Sequence, residues 1–137
     1  MMKNRLSVTL VITLVCSFAG SCSDGKRTDE APDTILLTVD NFEKEAGKDV
    51  VMIDFWAAWC KPCRGFAPTV EKIAGQTAGK VKVGKVDIDA QDELSNKFRI
   101  YSVPTVIILK DGAEVERFIG VQPEGILMKA LGKYTEF

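Results

Sequence analysis

Two cysteines, Cys60 and Cys63, lie three positions apart, directly after the apolar run Val50–Trp56. If a buried strand ends at Trp56 and a helix begins at the first cysteine, both sulfurs share one helix face and can close a short-range disulfide. The start of a helix also carries unpaired N–H groups and about half a positive charge, which favours a thiolate over a thiol. The spacing therefore predicts a sulfur pair that both forms a disulfide and attacks one.

The rest of the chain alternates between strand and helix patterns from residue 34 onward. The apolar and turn patterns predict strands over 34–39, Val50–Trp56, Val81–Asp87, Thr105–Lys110 and Ala113–Ile119. Helices are expected over 41–46, Lys61–Thr77 and 93–98, with a last one after Pro123 that presents Ile126, Leu127, Ala130, Leu131 and Tyr134. Asp111-Gly112 is a strong signal for a two-residue hairpin turn. The pattern predicts one α/β domain with a mixed sheet between helices.

Composition excludes several kinds of site. The chain has 137 residues, a formal charge of −1 and no histidine, which excludes Ser-His and Cys-His nucleophile pairs and imidazole relays. Its lysines are scattered among acidic residues, so no nucleic-acid surface is expected. A four-thiolate zinc site would need Cys16 and Cys22, which lie in a segment expected to be cleaved or lipidated. We therefore expect no metal and no cofactor besides the Cys60–Cys63 disulfide.

The N-terminus has the pattern of an export signal. Lys3 and Arg5 precede an apolar stretch over 6–18, and the small residues Ala19-Gly20-Ser21 follow. This order is typical of a secretory signal peptide, here assigned to residues 1–21, and the apolar stretch is too short to cross a bilayer as a stable helix. Residues 22–33 are expected to be a flexible polar tether, followed by a domain over 34–137. The protein is thus predicted to be exported and periplasmic, where disulfides persist.

Cys22 is a candidate lipidation site. Ala19-Gly20-Ser21-Cys22 resembles a bacterial lipobox, in which the cysteine becomes the lipidated first residue of the mature protein; Ala19 departs from the usual leucine. The alternative is ordinary signal cleavage nearby, which would leave a soluble protein with a free thiol. Any contact with the membrane is expected only through this lipid anchor.

An ordered set of motifs resembles the thioredoxin family over residues 34–137. The set comprises Val51-Met52-Ile53-Asp54-Phe55-Trp56-Ala57-Ala58-Trp59-Cys60-Lys61-Pro62-Cys63, Pro68, Lys85-Val86-Asp87, Ser102-Val103-Pro104-Thr105, Asp111-Gly112 and Gly120. The resemblance implies a thioredoxin-like α/β fold, with a central five-stranded mixed sheet flanked by four helices, and disulfide reductase activity. Lys61 is a departure, because the commonest thioredoxin motif has glycine there.

Cys60 is the expected nucleophile, because it lies nearest the helix start and the solvent. Its thiolate would attack a substrate disulfide, and Cys63 would then resolve the mixed disulfide. An inert structural disulfide is the alternative, but so small a loop restrains the unfolded chain little. Lys61 is either an ordinary surface lysine or a charge that stabilises the Cys60 thiolate.

Asp54 is a carboxylate in an otherwise apolar, buried run, so it should be partnered or protonated. Lys85, placed in the neighbouring strand by the resemblance, is its expected partner. One interpretation is a structural ion pair. The other, which the resemblance favours, is an acid–base group with a raised pKa that takes the proton of Cys63 as that thiol attacks.

A substrate groove is expected beside the cysteines. Sequence alone favours a trans Val103–Pro104 bond at a strand start, whereas the resemblance implies the cis-proline of the family. The Val103 backbone would then pair with an extended substrate segment, and Trp59, Pro62 and Gly120 would complete a shallow apolar groove. Trp59 could equally be a packing residue, while Trp56 is expected in the core.

The favoured function is an exported reductase, expected as a monomer, that acts on disulfide-containing secreted proteins. Its electrons would come from a membrane thiol transporter, because cytosolic thioredoxin reductase could not reach it. One alternative is an oxidase or isomerase of the same fold; the lack of a helical insertion argues against the oxidase form. Another is a binding module that uses the groove without redox turnover.

Overall fold

A computed structural model describes residues 33–137 of the chain. The strands are β1 (Thr34–Leu36), β2 (Val50–Trp56), β3 (Val81–Asp87), β4 (Thr105–Lys110) and β5 (Ala113–Ile119). The helices are α1 (Phe42–Ala46), α2 (Lys61–Thr77), α3 (Asp92–Lys97) and α4 (Glu124–Leu131). The signal peptide assigned to 1–21, the tether up to residue 32 and the lipidation site Cys22 lie outside the described residues.

The five strands form one mixed sheet in the order β1-β3-β2-β4-β5. Strand β3 runs parallel to both β1 and β2, while β4 is antiparallel to β2 and to β5. The thioredoxin-like architecture of five strands and four helices is therefore confirmed. Strand β2 is central, and its register places Asp54 opposite Lys85 of β3 and Val106 of β4.

Both faces of the sheet are covered by helices. Helices α2 and α4 pack on the face that carries Met52 and Ile108, and this core also includes Phe66 and Leu127. A second core on the other face holds the buried side chains of α1, α3 and the sheet together with Leu37, which follows β1; its members are Leu37, Phe42, Ala46, Val51, Ile53, Phe55, Val86, Leu94, Ile107 and Leu109. This coverage explains why β2 is apolar at nearly every position, as in parallel strands buried on both sides.

The first strand is shorter than the 34–39 predicted from its apolar residues. The side chain of Asn41 ends it: Oδ1 accepts a hydrogen bond from the Thr38 N–H at 2.8 Å, and Nδ2 donates to the Leu36 carbonyl at 2.9 Å. These bonds turn the chain toward α1 instead of continuing the ladder. Of the two N-cap candidates for α1 in the sequence, Asp40 and Asn41, it is Asn41 that occupies the cap, but its side chain does not bond to the helix.

Smaller differences concern the last two helices. Helix α3 begins one residue earlier than the predicted 93–98. Ile126, predicted on the buried face of α4, is 48% exposed, whereas Leu127, Ala130 and Leu131 are buried. The hairpin turn is as predicted, with positive φ at both Asp111 and Gly112. Within residues 33–137, no helix combines the length and apolar character needed to cross a bilayer.

Candidate active site

Cys60 and Cys63 form a disulfide at the start of α2, with their Cα atoms 5.3 Å apart. Both sulfurs are therefore in the oxidised form. Cys60 is the N-cap residue, and the Cys63 N–H points at Cys60 Sγ at a distance of 3.2 Å. An anionic sulfur at this position would accept that hydrogen bond and face the positive end of the helix dipole.

Exposure does not separate the two cysteines as the sequence interpretation assumed. Cys60 is 4% exposed and Cys63 is 3% exposed, because Ala57, Trp56, Ile88 and Val103 pack around them. Only the place of Cys60 at the helix start distinguishes it as the residue on which a thiolate is stabilised.

The turn between β2 and α2 is held by two bonds. The Cys60 N–H donates to the Ala57 carbonyl at 3.1 Å, and Arg64 Nη1 donates to the Ala58 carbonyl at 2.7 Å. Arg64 was not among the residues singled out from sequence. Its place directly after Cys63 was the available signal, because a side chain in the first turn of a helix can reach back to the preceding loop.

The loop before β4 lies against the disulfide. The Val103–Pro104 peptide bond is cis, as the resemblance implied, and Cys60 Sγ lies 3.7 Å from the Val103 carbonyl oxygen. The Gly120 N–H donates to the Pro104 carbonyl at 2.8 Å. Gly120 has a φ of 87°, in the left-handed region that favours glycine. The fold thus brings Val103, Pro104 and Gly120 together beside Cys60, although they are far from it in sequence.

Trp59 is 67% exposed, so the interpretation of this residue as a packing residue is wrong. Its indole N–H donates to Asp89 Oδ2 at 2.9 Å, which fixes an exposed ring next to the disulfide. Pro62 is also exposed, in the first turn of α2. Trp56, expected in the core, is only partly buried and packs beside the cysteines.

Two further exposed apolar side chains lie near Pro104 and Gly120, one on the loop before β4 and the other at the end of β5. Tyr101 is 90% exposed and Ile119 is 65% exposed. Neither residue, nor Asp89, was predicted from the sequence, because nothing in a local pattern shows that a side chain will face outward beside a distant site. Exposed aromatic and aliphatic groups of this kind are typical of surfaces that bind other proteins.

Asp54 is 1% exposed and lies on the face of β2 covered by α2. Burial raises the pKa of its carboxyl group to about 6, and the nearby charge of Lys85 opposes part of that rise. Its Oδ1 has no hydrogen-bond partner among the described residues. Lys85 lies opposite in the register, but its ammonium pairs instead with Glu71 Oε1 at 4.0 Å. The structure therefore does not contain the buried Asp54–Lys85 ion pair considered from sequence.

A small cavity connects the carboxyl group to the second cysteine. Its volume is about 90 Å³, and it is lined by Asp54, Trp56, Cys63, Arg64, Ala67 and Lys85. A carboxyl group with a pKa of about 6 can exchange a proton near neutral pH. The arrangement can therefore carry a proton between Asp54 and Cys63. Among residues 33–137, no group of three or more His, Cys, Asp or Glu side chains is placed to hold a metal ion.

Comparison with known proteins agrees with this geometry. The family model described as Thioredoxin matches residues 33–133. A thioredoxin of Staphylococcus haemolyticus is 38% identical over 100 residues, covering 73% of this chain and 96% of the relative, and one of Bacillus subtilis is 37% identical with the same coverage. The solved structure of a mutant thioredoxin from Halobacterium salinarum superposes with a TM-score of 0.71 at 33% identity, covering 80% of this chain and 97% of that one.

Proposed function

Since this chain belongs to the thioredoxin family and is a thiol–disulfide oxidoreductase, we propose that it reduces disulfide bonds in exported proteins. The observation that carries this proposal is the Cys60–Cys63 disulfide at the start of α2, with the buried carboxyl group of Asp54 on the same small cavity as Cys63. A pair of sulfurs alone could be structural. A pair with its own acid–base group is suited to repeated turnover.

The reaction begins with the reduced dithiol. The Cys60 thiolate attacks one sulfur of a substrate disulfide, forms a mixed disulfide and releases the other substrate sulfur as a thiolate, which takes a proton from solvent. Asp54 then accepts the proton of Cys63, and the Cys63 thiolate attacks Cys60 Sγ. The second substrate sulfur leaves and is protonated. Two electrons have then passed from the dithiol to the substrate, and the Cys60–Cys63 disulfide is left behind.

The substrate segment binds along the loop that contains Pro104. The backbone of Val103 lies within reach of Cys60 Sγ, so an extended segment that pairs with it would place its own disulfide against the nucleophile. Trp59, Pro62 and Gly120 border this contact, and Tyr101 and Ile119 extend the exposed apolar surface. Backbone pairing accepts many sequences, which suits a reductase with several protein substrates.

We favour reduction over oxidation because the charge of Lys61, the departure from the family motif, can shift the redox potential only a little. If Lys61 lowered the pKa of Cys60 by one unit, the effect would be about 1.36 kcal/mol, or roughly 30 mV for the two-electron couple. The potentials of thioredoxin and a strong disulfide oxidase differ by about 150 mV. Equilibration with glutathione buffers tests this: a potential near −120 mV, typical of an oxidase, would contradict the proposal.

Export and electron supply rest on the N-terminal pattern, Lys3 and Arg5 followed by the apolar stretch and Cys22. We propose that lipidated Cys22 anchors the protein to a membrane that borders the periplasm. We also propose that a membrane thiol transporter reduces the Cys60–Cys63 disulfide. Labelling with a radioactive fatty acid should mark the wild type and not Cys22→Ser. Deleting the transporter should leave the pair oxidised in cells, and a pair that stays reduced would contradict this electron source.

The proposed activity is tested by trapping. Cys63→Ser should accumulate mixed disulfides through Cys60 with exported proteins in the native host, because the resolving thiol is missing. Cys60→Ser with Cys63→Ser is the matched control and should trap none. If Cys63→Ser captures no partner either, the protein does not turn over protein disulfides, and a binding module that uses the same groove becomes the better interpretation.

A further inference from the structure

The Lys85 ammonium is not ion-paired with the carboxyl group of Asp54, although the strand register places the two residues opposite each other. Its ammonium lies 4.0 Å from Glu71 Oε1 on α2 and 5.6 Å from the centre of the Trp56 ring. The Lys85 side chain is 16% exposed and that of Glu71 is 61% exposed, so the pair lies at the outer edge of the space between α2 and β3. The ammonium therefore contacts Glu71 and the face of Trp56, whereas Asp54 is 1% exposed.

We propose that Glu71 is a positioning residue that keeps Lys85 from pairing directly with Asp54, so that the carboxyl group of Asp54 remains able to take up the proton of Cys63. The inference rests on the acid–base role proposed above. A direct Asp54–Lys85 ion pair would stabilise the charged carboxylate and weaken it as a base. Glu71 offers the ammonium a solvated partner, and the face of Trp56 offers it a second, cation–π contact.

The other described groups around Asp54 leave Lys85 as the cation able to move toward it. On α2, Arg64 lines the same cavity, but its guanidinium donates to the Ala58 carbonyl. Cys63, also on α2, is bound in the disulfide. On β4, the residue opposite Asp54 is Val106, which carries no charge. Burial has the largest effect on proton uptake by Asp54, and the position of the Lys85 ammonium modulates it.

The experiment follows the titration of the Asp54 carboxyl group by NMR in the oxidised full-length protein, without substrate. Removing the charge of Glu71 with Glu71→Gln should lower the Asp54 titration midpoint by about 0.2 to 0.7 of a pH unit, the shift that a weak, partly exposed ion pair can produce. Glu124→Gln is the matched control: it removes a partly exposed carboxylate from the Lys72–Glu124 pair, away from the cavity, and should leave the midpoint unchanged.

A second background shows whether the effect passes through Lys85. In Lys85→Gln, adding Glu71→Gln should shift the midpoint no more than Glu124→Gln does, because there is no ammonium left to reposition. An equal shift with and without Lys85 would overturn the proposal in favour of a direct field of Glu71 on Asp54. No shift in either background would overturn it as well. Since no substrate is present, either result is independent of whether the protein is a reductase.

Discussion

Charged side chains are partly exposed and paired at one end of the sheet, whereas at the other end a carboxyl group is buried. At the end where β2 begins, Lys82 bonds to the carbonyl and carboxylate oxygens of Glu45 at 3.3 and 3.4 Å, and Lys110 lies 3.7 Å from Asp111. These groups are at least partly solvated and paired. At the end where β2 finishes, Asp54 is buried and its Oδ1 is unpaired among the described residues. Solvated pairs contribute little to stability or reactivity, whereas a buried lone carboxyl group acquires a shifted pKa and can do chemistry.

The largest effect should come from the first cysteine. Cys60→Ser should reduce a protein disulfide no faster than the uncatalysed reaction, because the remaining thiol, Cys63, lacks the N-cap position that stabilises a thiolate. The measurement is the rate of loss of a model protein disulfide with an excess of reductant. Lys82→Gln, at the opposite end of the sheet, should keep the wild-type rate. A Cys60→Ser variant that retained substantial activity would contradict the view that the reactive groups lie only at the end of the sheet where β2 finishes.

Asp54→Asn should stabilise the protein at neutral pH. In the folded state burial raises the pKa of Asp54 from 3.8 to about 6, so the folded protein binds this proton more tightly than the unfolded chain. Folding is then penalised above pH 6 by up to about 3 kcal/mol, and the penalty disappears as pH falls below about 4. Urea unfolding of the wild type and the variant from pH 4 to 8 measures this penalty as their difference in the free energy of unfolding. A constant difference across that range would show that titration is not the cause.

Two glycines with similar φ values allow the effect of backbone strain on stability to be distinguished from an effect on substrate binding. Gly120 and Gly112 have φ values of 87° and 79°, one beside Pro104 and the other in the distant hairpin. Each change to alanine should lower the free energy of unfolding by about 1 to 2 kcal/mol, because alanine is strained there. Only Gly120→Ala should also raise the KM for a protein disulfide, since it displaces the Pro104 loop. Equal KM values for the Gly120→Ala and Gly112→Ala variants would show that Gly120 is not part of the substrate-binding surface.

The smallest effect is expected at the charged end. Glu45→Gln breaks the pair with Lys82, which is 41% exposed, and should cost no more than about 1 kcal/mol. The loss should shrink in high salt, because ions screen exposed charges. Its sign is opposite to that of Asp54→Asn at pH 7. Thermal unfolding at low and high salt measures the loss of stability and its dependence on salt. A loss of stability unaffected by salt would indicate that packing, and not the ion pair, is responsible.

Periodicity and motif spacing predicted β2, β3, β4, β5 and α2 with the bounds that the structure has, because each combines a strong apolar pattern with clear turn or cap residues. The predictions that failed depended on competition between local and distant contacts. The Asn41 side chain ended β1 early. Ile126 lies at helical spacing with the buried residues of α4, yet no neighbouring element among residues 33–137 covers it.

The site shows the same division. Cys60, Cys63 and Asp54 follow from the sequence, since thiols at that spacing and a carboxylate in an apolar run are both visible in one segment. The partner of Lys85 did not follow. Glu71 and Lys85 are fourteen positions apart on different elements, and only the packing of α2 on β3 brings them within 4.0 Å. The bond of Trp59 to Asp89 likewise depends on how two loops meet.

The sequence by itself determined the chemical groups and their order along the chain: two thiols at a strand–helix junction, one carboxyl group in a buried strand, and a proline before β4. Tertiary structure alone decided which of these groups touch. It placed Val103 against Cys60 and gave the Lys85 ammonium to Glu71 instead of Asp54. The physical reason is that side-chain identity is local, whereas burial, electrostatic partners and therefore proton affinity depend on what the rest of the fold packs around each group.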